Sequence, residues 1–157
     1  VVVGLIDVPK LSRTYFAVKG KGAFVRERSL GQDRKIHVSG KADLKQALLS
    51  TGFSSYDEPA LEKQLQIFSQ LLRETRGIRR AGSAAYDLCM VAEGVFDAYW
   101  EKNLSSWDTA AGSLLVREAG GKVTNYCGDD FSVDMNSILA SNGSLHAQLT
   151  SVLSSAN

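Results

Sequence analysis

The 157-residue sequence predicts a layered α/β domain, and three observations carry that prediction. Short β-rich runs crowd residues 1–39, punctuated by Asp7-Val8-Pro9 and Gly20-Lys21-Gly22. From residue 40 onward, helical and strand patterns alternate, as they do where helices cover a sheet. Apolar residues make up 44% of the chain and charged residues 22%, which suits a globular protein with a real core.

Taken in order, residues 1–6, 14–19 and 23–26 are the first strands, close enough in sequence to pair antiparallel. Residues 36–39 add a short edge strand. Residues 41–45 suggest a short helix, and residues 47–52 a buried strand. Residues 58–75 form an amphipathic helix with Leu61, Leu65, Phe68, Leu71 and Leu72 on one side. Its Glu, Lys and Gln face is solvated surface. Residues 77–82 return as a strand, with Arg79 and Arg80 on opposite faces. Residues 83–93 are a helix for which Ser83 is a natural N-cap. A strand at 95–101 leads to a helix opening at Asp108, then come strands at 121–126 and 137–141 and a terminal helix at 144–153.

Composition excludes several classes. Lys and Arg total 18 against 17 Asp and Glu, so a formal charge of +1 gives no general attraction to nucleic acid or membrane. No apolar run approaches the roughly 20 residues that cross a bilayer. Cys89 falls on an apolar helix face and Cys127 in a turn; their spacing suggests neither a disulfide framework nor a zinc site. A reducing cytoplasm fits this usage. His37 and His146 flank no nucleophile pattern and read as incidental. Trp100 and Trp107 read as packing residues.

The segment Trp107-Asp108-Thr109-Ala110-Ala111-Gly112 through Arg117-Glu118-Ala119-Gly120-Gly121 carries the most chemistry. Asp108 stands where an N-cap belongs, apolar residues follow at helical spacing, and the double glycine ends the helix. Small residues after the cap admit a second backbone or a ligand. A fixed carboxylate beside such a mouth could hold a hard cation. By spacing alone the cap is the commoner role, contributing about 1 kcal/mol. Glu101 at a strand end reads equally as an exposed carboxylate, and Gly82-Ser83-Ala84 as capping and close packing.

The Trp107–Gly121 string closely resembles the C-terminal signature of the inositol monophosphatase family. Arg79-Arg80-Ala81-Gly82-Ser83-Ala84-Ala85-Tyr86-Asp87-Leu88-Cys89, the Gly20-Lys21-Gly22-Ala23 turn and Ile138-Leu139-Ala140-Ser141-Asn142 extend the resemblance over essentially the whole chain. It implies the C-terminal portion of an αβαβα sandwich of the sugar phosphatase type. Residues 1–39 would be the β-rich end of a truncated N-terminal α+β subdomain, and residues 40–157 the C-terminal α/β subdomain. The family's Asp-Pro-x-Asp-Gly-Thr metal motif is absent, so the chain is expected to be part of a longer protein.

The implied activity is Mg²⁺-dependent hydrolysis of a small polyol or sugar phosphate monoester by metal-activated water. Inositol monophosphate is the first substrate; fructose 1,6-bisphosphate, histidinol phosphate and 3′-phosphoadenosine 5′-phosphate are the alternatives. Asp108 would be the catalytic metal ligand and also touch substrate, Glu101 would accept a substrate hydroxyl, and Gly82, Ser83 and Ala84 would line the substrate. The partners implied are the missing N-terminal half and a second copy in a homodimer, with no nucleic acid and no membrane. The competing reading is a non-catalytic fragment acting through protein contact.

Overall fold

The computed structural model describes residues 1–53 and 58–154. Four strands, β1 (Val3–Val8), β2 (Arg13–Val18), β3 (Gly22–Glu27) and β4 (Gln32–Ile36), pair antiparallel in chain order. Alternation sorts their side chains. Tyr15 lies opposite Val25 and Ala17 opposite Ala23, all four fully buried. Between them Phe16 and Phe24 pair on the other face with ring centroids 5.6 Å apart.

A second sheet runs β6 (Gly77–Arg79), β5 (Leu48–Thr51), β7 (Ala98–Lys102), β9 (Ser137–Ser141) and β8 (Lys122–Thr124). β5 is parallel to β6 and β7, while β9 is antiparallel to β7 and β8. Both of its faces are covered. Tyr99, Ile138 and Ala140 pack toward α2 (Ala84–Ala92) and α3 (Ser106–Glu118), sharing their core with Tyr15 and Val25 of the first sheet. Ala98, Trp100 and Leu139 face the other way, onto α1 (Glu58–Glu74) and α4 (His146–Ser154). Among the described residues the layers are therefore sheet, helix pair, sheet, helix pair.

Several elements differ from the sequence expectation. The fourth strand lies at Gln32–Ile36 rather than 36–39, and only Ile36 of it is buried. A charged edge strand has no apolar alternation to reveal it. The helix expected at 41–45 is a single 3-10 turn, Leu44–Gln46, begun by the Asp43 carboxylate on the Lys45 N–H. The strand expected at 77–82 stops at Arg79, and that at 95–101 begins only at Ala98. On α1 the buried positions are Gln64, Ile67 and Leu71, whereas Leu65 and Leu72 are exposed. The stripe is rotated because the inner face follows the i, i+3, i+7 row through Ile67.

Three carboxylates tie the layers together. Glu118 of α3 accepts the N–H groups of Gly20 and Gly22 at 2.8 Å each, fixing the β2–β3 turn. Glu93, after α2, accepts from the Tyr15 hydroxyl at 2.7 Å and pairs with Arg34. Asp97, fully buried ahead of β7, accepts the Leu48 N–H at 2.7 Å and Lys41 Nζ at 3.1 Å. His146 is also structural: it lies buried between the Thr124 and Ser141 hydroxyls, and burial pulls its pKa down to about 4. Cys89 is buried and Cys127 exposed. Among the described residues no helix is long and apolar enough to cross a membrane.

The closest approach in the helix layer is at Gly112. A Cβ there would stand 2.5 Å from Leu88 Cδ1 and 2.6 Å from Leu88 Cβ. Gly4 of β1 also approaches α3 closely, its added Cβ lying 3.0 Å from the Ala111 carbonyl oxygen. Gly112→Ala should therefore destabilise by about 1–3 kcal/mol, the usual cost of overpacking. Chemical denaturation should read a lower midpoint with an unchanged slope.

Candidate active site

Four chain segments end at one polar cleft of about 260 Å³. β5 brings Thr51 and Gly52, the stretch between β6 and α2 brings Arg80, Gly82 and Ser83, β7 brings Glu101, and the approach to α3 brings Leu104 and Asp108. Ala84 and Asp87, in the first turns of α2, complete the wall. The cleft thus lies between the N-termini of two helices, where free N–H groups and the helix dipoles favour anions. A larger depression of about 680 Å³ lies along the outer face of α1, but its lining of Gln, Ser and scattered charges converges on nothing.

All five residues singled out from sequence, Gly82, Ser83, Ala84, Glu101 and Asp108, line this one cleft. Ser83 is the N-cap of α2, accepting the Tyr86 N–H at 3.4 Å, as expected. Gly82 adopts φ +84°, a conformation natural to glycine, and turns the chain into the helix.

Asp108 is not an N-cap. Ser105 occupies that position, and Asp108 is the third residue of α3, its Oδ2 accepting the Ser105 N–H at 3.1 Å. With two serines ahead of it, the helix starts earlier and the acid reaches back in the manner of a capping box. The C-terminal stop is as expected: Gly120 has φ +88°, and the Gly121 N–H closes on the Val116 carbonyl at 2.9 Å. Trp107, at the second position of α3, is not a packing residue but the most exposed large apolar side chain among the described residues, at 80%; Trp100 is buried.

Glu101 lies over the end of β5. A Cβ on Gly52 would fall 2.1 Å from Glu101 Oε2, so only glycine leaves room for that carboxylate. The Tyr99 hydroxyl, two residues back on the same face, donates to Oε2. Burial raises the Glu101 pKa, the Tyr99 hydrogen bond and the Arg80 charge oppose this, and the Asp108 charge adds to it.

Sequence reasoning did not single out Thr51, Gly52, Asp87 or Leu104 of this wall, and two of these, Asp87 and Gly52, shape it most. Asp87 read only as part of a helix, yet it is 2% exposed and its Oδ1 has no hydrogen-bond partner among the described residues. Burial pushes its pKa up to about 7; the neighbouring Ser50 hydroxyl eases this, and the Glu101 charge adds to it. The signal was an acid inside the apolar run Ala84-Ala85-Tyr86-Asp87-Leu88-Cys89. Gly52 gave no signal, because its role appears only when β7 lies beside β5. Among the described residues no group of three His, Cys, Asp or Glu side chains is gathered closely enough to hold a metal unaided.

Two sheets with a helix pair between them, and carboxylates converging at the helix N-termini, define a layered α/β protein with an acid-lined cleft. Comparison with known proteins makes this specific: the inositol monophosphatase family model matches residues 1–157, and the chain belongs to that family. It is 41% identical over 150 residues to a putative Nus factor SuhB of Neisseria meningitidis, covering 96% of this chain and 55% of that protein. It is 40% identical over 150 residues to an inositol-1-monophosphatase of Caulobacter vibrioides, covering 95% and 57%.

Among solved structures, the SuhB extragenic suppressor protein of Bartonella henselae superposes with a TM-score of 0.88 at 36% identity, over 97% of this chain and 56% of that one. The Anabaena inositol monophosphatase gives 0.83 at 37%, over 98% and 58%. The chain spans about half the length of the curated relatives it matches.

Gly52→Ala should displace the Glu101 carboxylate and leave the buried Tyr99 hydroxyl without its acceptor, at a cost of about 1–3 kcal/mol. A crystal structure of the variant checks the displacement, and a lowered melting point checks the cost.

Proposed function

We propose that this chain is the C-terminal part of a phosphatase that hydrolyses a small polyol or sugar phosphate monoester, inositol monophosphate first among them. The observation that carries the reading is the gathering of Asp108, Glu101 and the Gly82-Ser83-Ala84 helix start around one cleft. Family membership supports it, as does the name of the Caulobacter relative. The active unit is taken to have the length of those relatives, with residues 1–39 continuing a preceding α+β subdomain.

The donor set fits Mg²⁺, which binds through one or two carboxylates and keeps sites for water and phosphate. Asp108 lines the cleft and commits only Oδ2 to Ser105, so it would be the ligand from this chain. The remaining ligands would come from outside it. Once bound, Mg²⁺ supplies neutralisation of the phosphoryl oxygens and activation of the attacking water. Glu101, with Oε2 held by Tyr99, keeps Oε1 to accept a substrate hydroxyl. Gly82, Ser83 and Ala84 present small side chains and backbone N–H groups against the polyol. A homodimer in the cytoplasm completes the proposal.

A second reading, a module acting through protein contact, draws on the Neisseria relative's name as a putative Nus factor. Substrates other than inositol monophosphate stay open. An Aquifex aeolicus relative, 37% identical over 145 residues, is named fructose-1,6-bisphosphatase/inositol-1-monophosphatase.

Steady-state phosphate release against Mg²⁺ concentration separates these readings in a parent-length protein. Asp108→Asn should lower kcat and weaken the Mg²⁺ dependence together, by on the order of 10²-fold or more. Glu101→Gln retains an acceptor and should act mainly through KM. Absence of any Mg²⁺-dependent turnover by the parent would favour the contact module.

A further inference from the structure

Asp87 has no place in the roles assigned above, and its surroundings are unusual for a structural acid. It is 2% exposed, its Oδ1 is cut off from solvent with no hydrogen-bond partner among the described residues, and it lies against a cleft already holding Glu101 and Asp108. The Ser50 Oγ on β5, also buried, stands near enough to ease the charge of Asp87 but closes no hydrogen bond on Oδ1. The dipole of α2 favours a carboxylate in that helix's first turns but supplies no hydrogen bond to Oδ1. A buried carboxyl left in this way costs stability. Such a cost is explained when a ligand in the cleft provides the missing compensation.

The charged and titratable groups facing Asp87 are few. β7 contributes Glu101 and Tyr99, the segment after β6 contributes Arg80, and α3 contributes Asp108. Arg80 is exposed, and among the described residues its guanidinium is engaged by the Phe53 carbonyl at 3.4 Å and the Phe53 ring rather than by any carboxylate. The cleft therefore carries an excess of acid over base, as a cation-binding cleft requires and a purely anion-binding cleft would not.

Resting on the Mg²⁺ reading above, we propose that Asp87 is a positioning residue for cation binding: it supplies negative charge from beneath the cleft without being a ligand, and the bound cation offsets its burial. Two linked consequences follow. Without cation, Asp87 destabilises the fold. With its charge removed, the cleft binds cation less tightly.

The pH dependence has a definite sign. The Asp87 carboxyl, ordinarily near 3.8, stands at about 7 in the fold, so the native state binds its proton more tightly than the unfolded chain. Its contribution to stability therefore falls as pH rises from about 4 to about 7 and stays at its lower level above that.

The test uses the parent-length protein and Asp87→Asn, with Asp87→Ser as a second variant should the amide disturb folding. In metal-free buffer at pH 8, Asp87→Asn should melt on the order of 5 °C higher than wild type, with the gap closing near pH 4. Calorimetric titration with Mg²⁺ at pH 8 should read roughly tenfold weaker binding in the variant, within the range of outer partners of metal sites. Wild type alone should release protons on Mg²⁺ binding at pH 7, measured in two buffers of different ionisation heat.

A higher melting point with undiminished Mg²⁺ affinity, or no proton release by wild type, overturns the role of Asp87. If wild type still shows Mg²⁺-dependent turnover, that failure leaves the phosphatase reading standing. A wild type that binds no Mg²⁺ overturns both.

Discussion

The separation of α2 and α3 is the constraint on which the rest depends. Gly112 lets α3 settle against Leu88, and that one missing methyl sets how closely the two helices pack. Their N-termini carry Ser83 and Ala84 on one side and Asp108 on the other. The same helix pair presents opposite surfaces to two sheets, so its thickness also sets the distance between them. Gly4 repeats the device where β1 crosses Ala111. Gly112 and Gly4 are spacing elements of this layer.

Around that layer, polarity is distributed unevenly. Glu118, Glu93 and Asp97 are each met by two or more donors and act as clasps between elements. The carboxylates of the cleft are served more sparingly. Glu101 has one phenol, Asp108 one backbone N–H, and Asp87 Oδ1 nothing among the described residues. Acids that hold a fold together are satisfied within it, whereas partly unsatisfied acids lining one cleft mark a candidate functional site.

How much could be read beforehand follows from how local each signal is. The helix at 83–93 was legible because Ser83 and an apolar run are neighbours in sequence, and Ser137–Ser141 because every residue of it is buried. β4 was illegible in place because charged residues on an edge strand carry no period-two pattern. The capping of α3 was misassigned by three residues since two serines and an aspartate all compete for one role, and only backbone geometry selects Ser105. Trp107 was misjudged for the opposite reason: hydrophobicity argues for burial, but its position on α3 turns it outward.

The sequence by itself determined the residue types at the cleft and the alternation of elements that delivers them. A carboxylate ahead of a small-residue helix, a Gly-Ser-Ala helix start and a strand ending in glutamate are each contiguous strings, fixed by local chemistry. Only the tertiary structure decided that these strings meet, that Gly52 is the floor beneath Glu101, and that Asp87 is buried behind them with no hydrogen bond to Oδ1 among the described residues. Gly52 and Glu101 are brought together by pairing of β5 with β7, and Asp87 is buried where α2 packs against those same strands, beside Ser50 and Glu101. Contacts between residues so far apart in the chain depend on closing long loops and excluding water from both sides. No single window of sequence contains either cause.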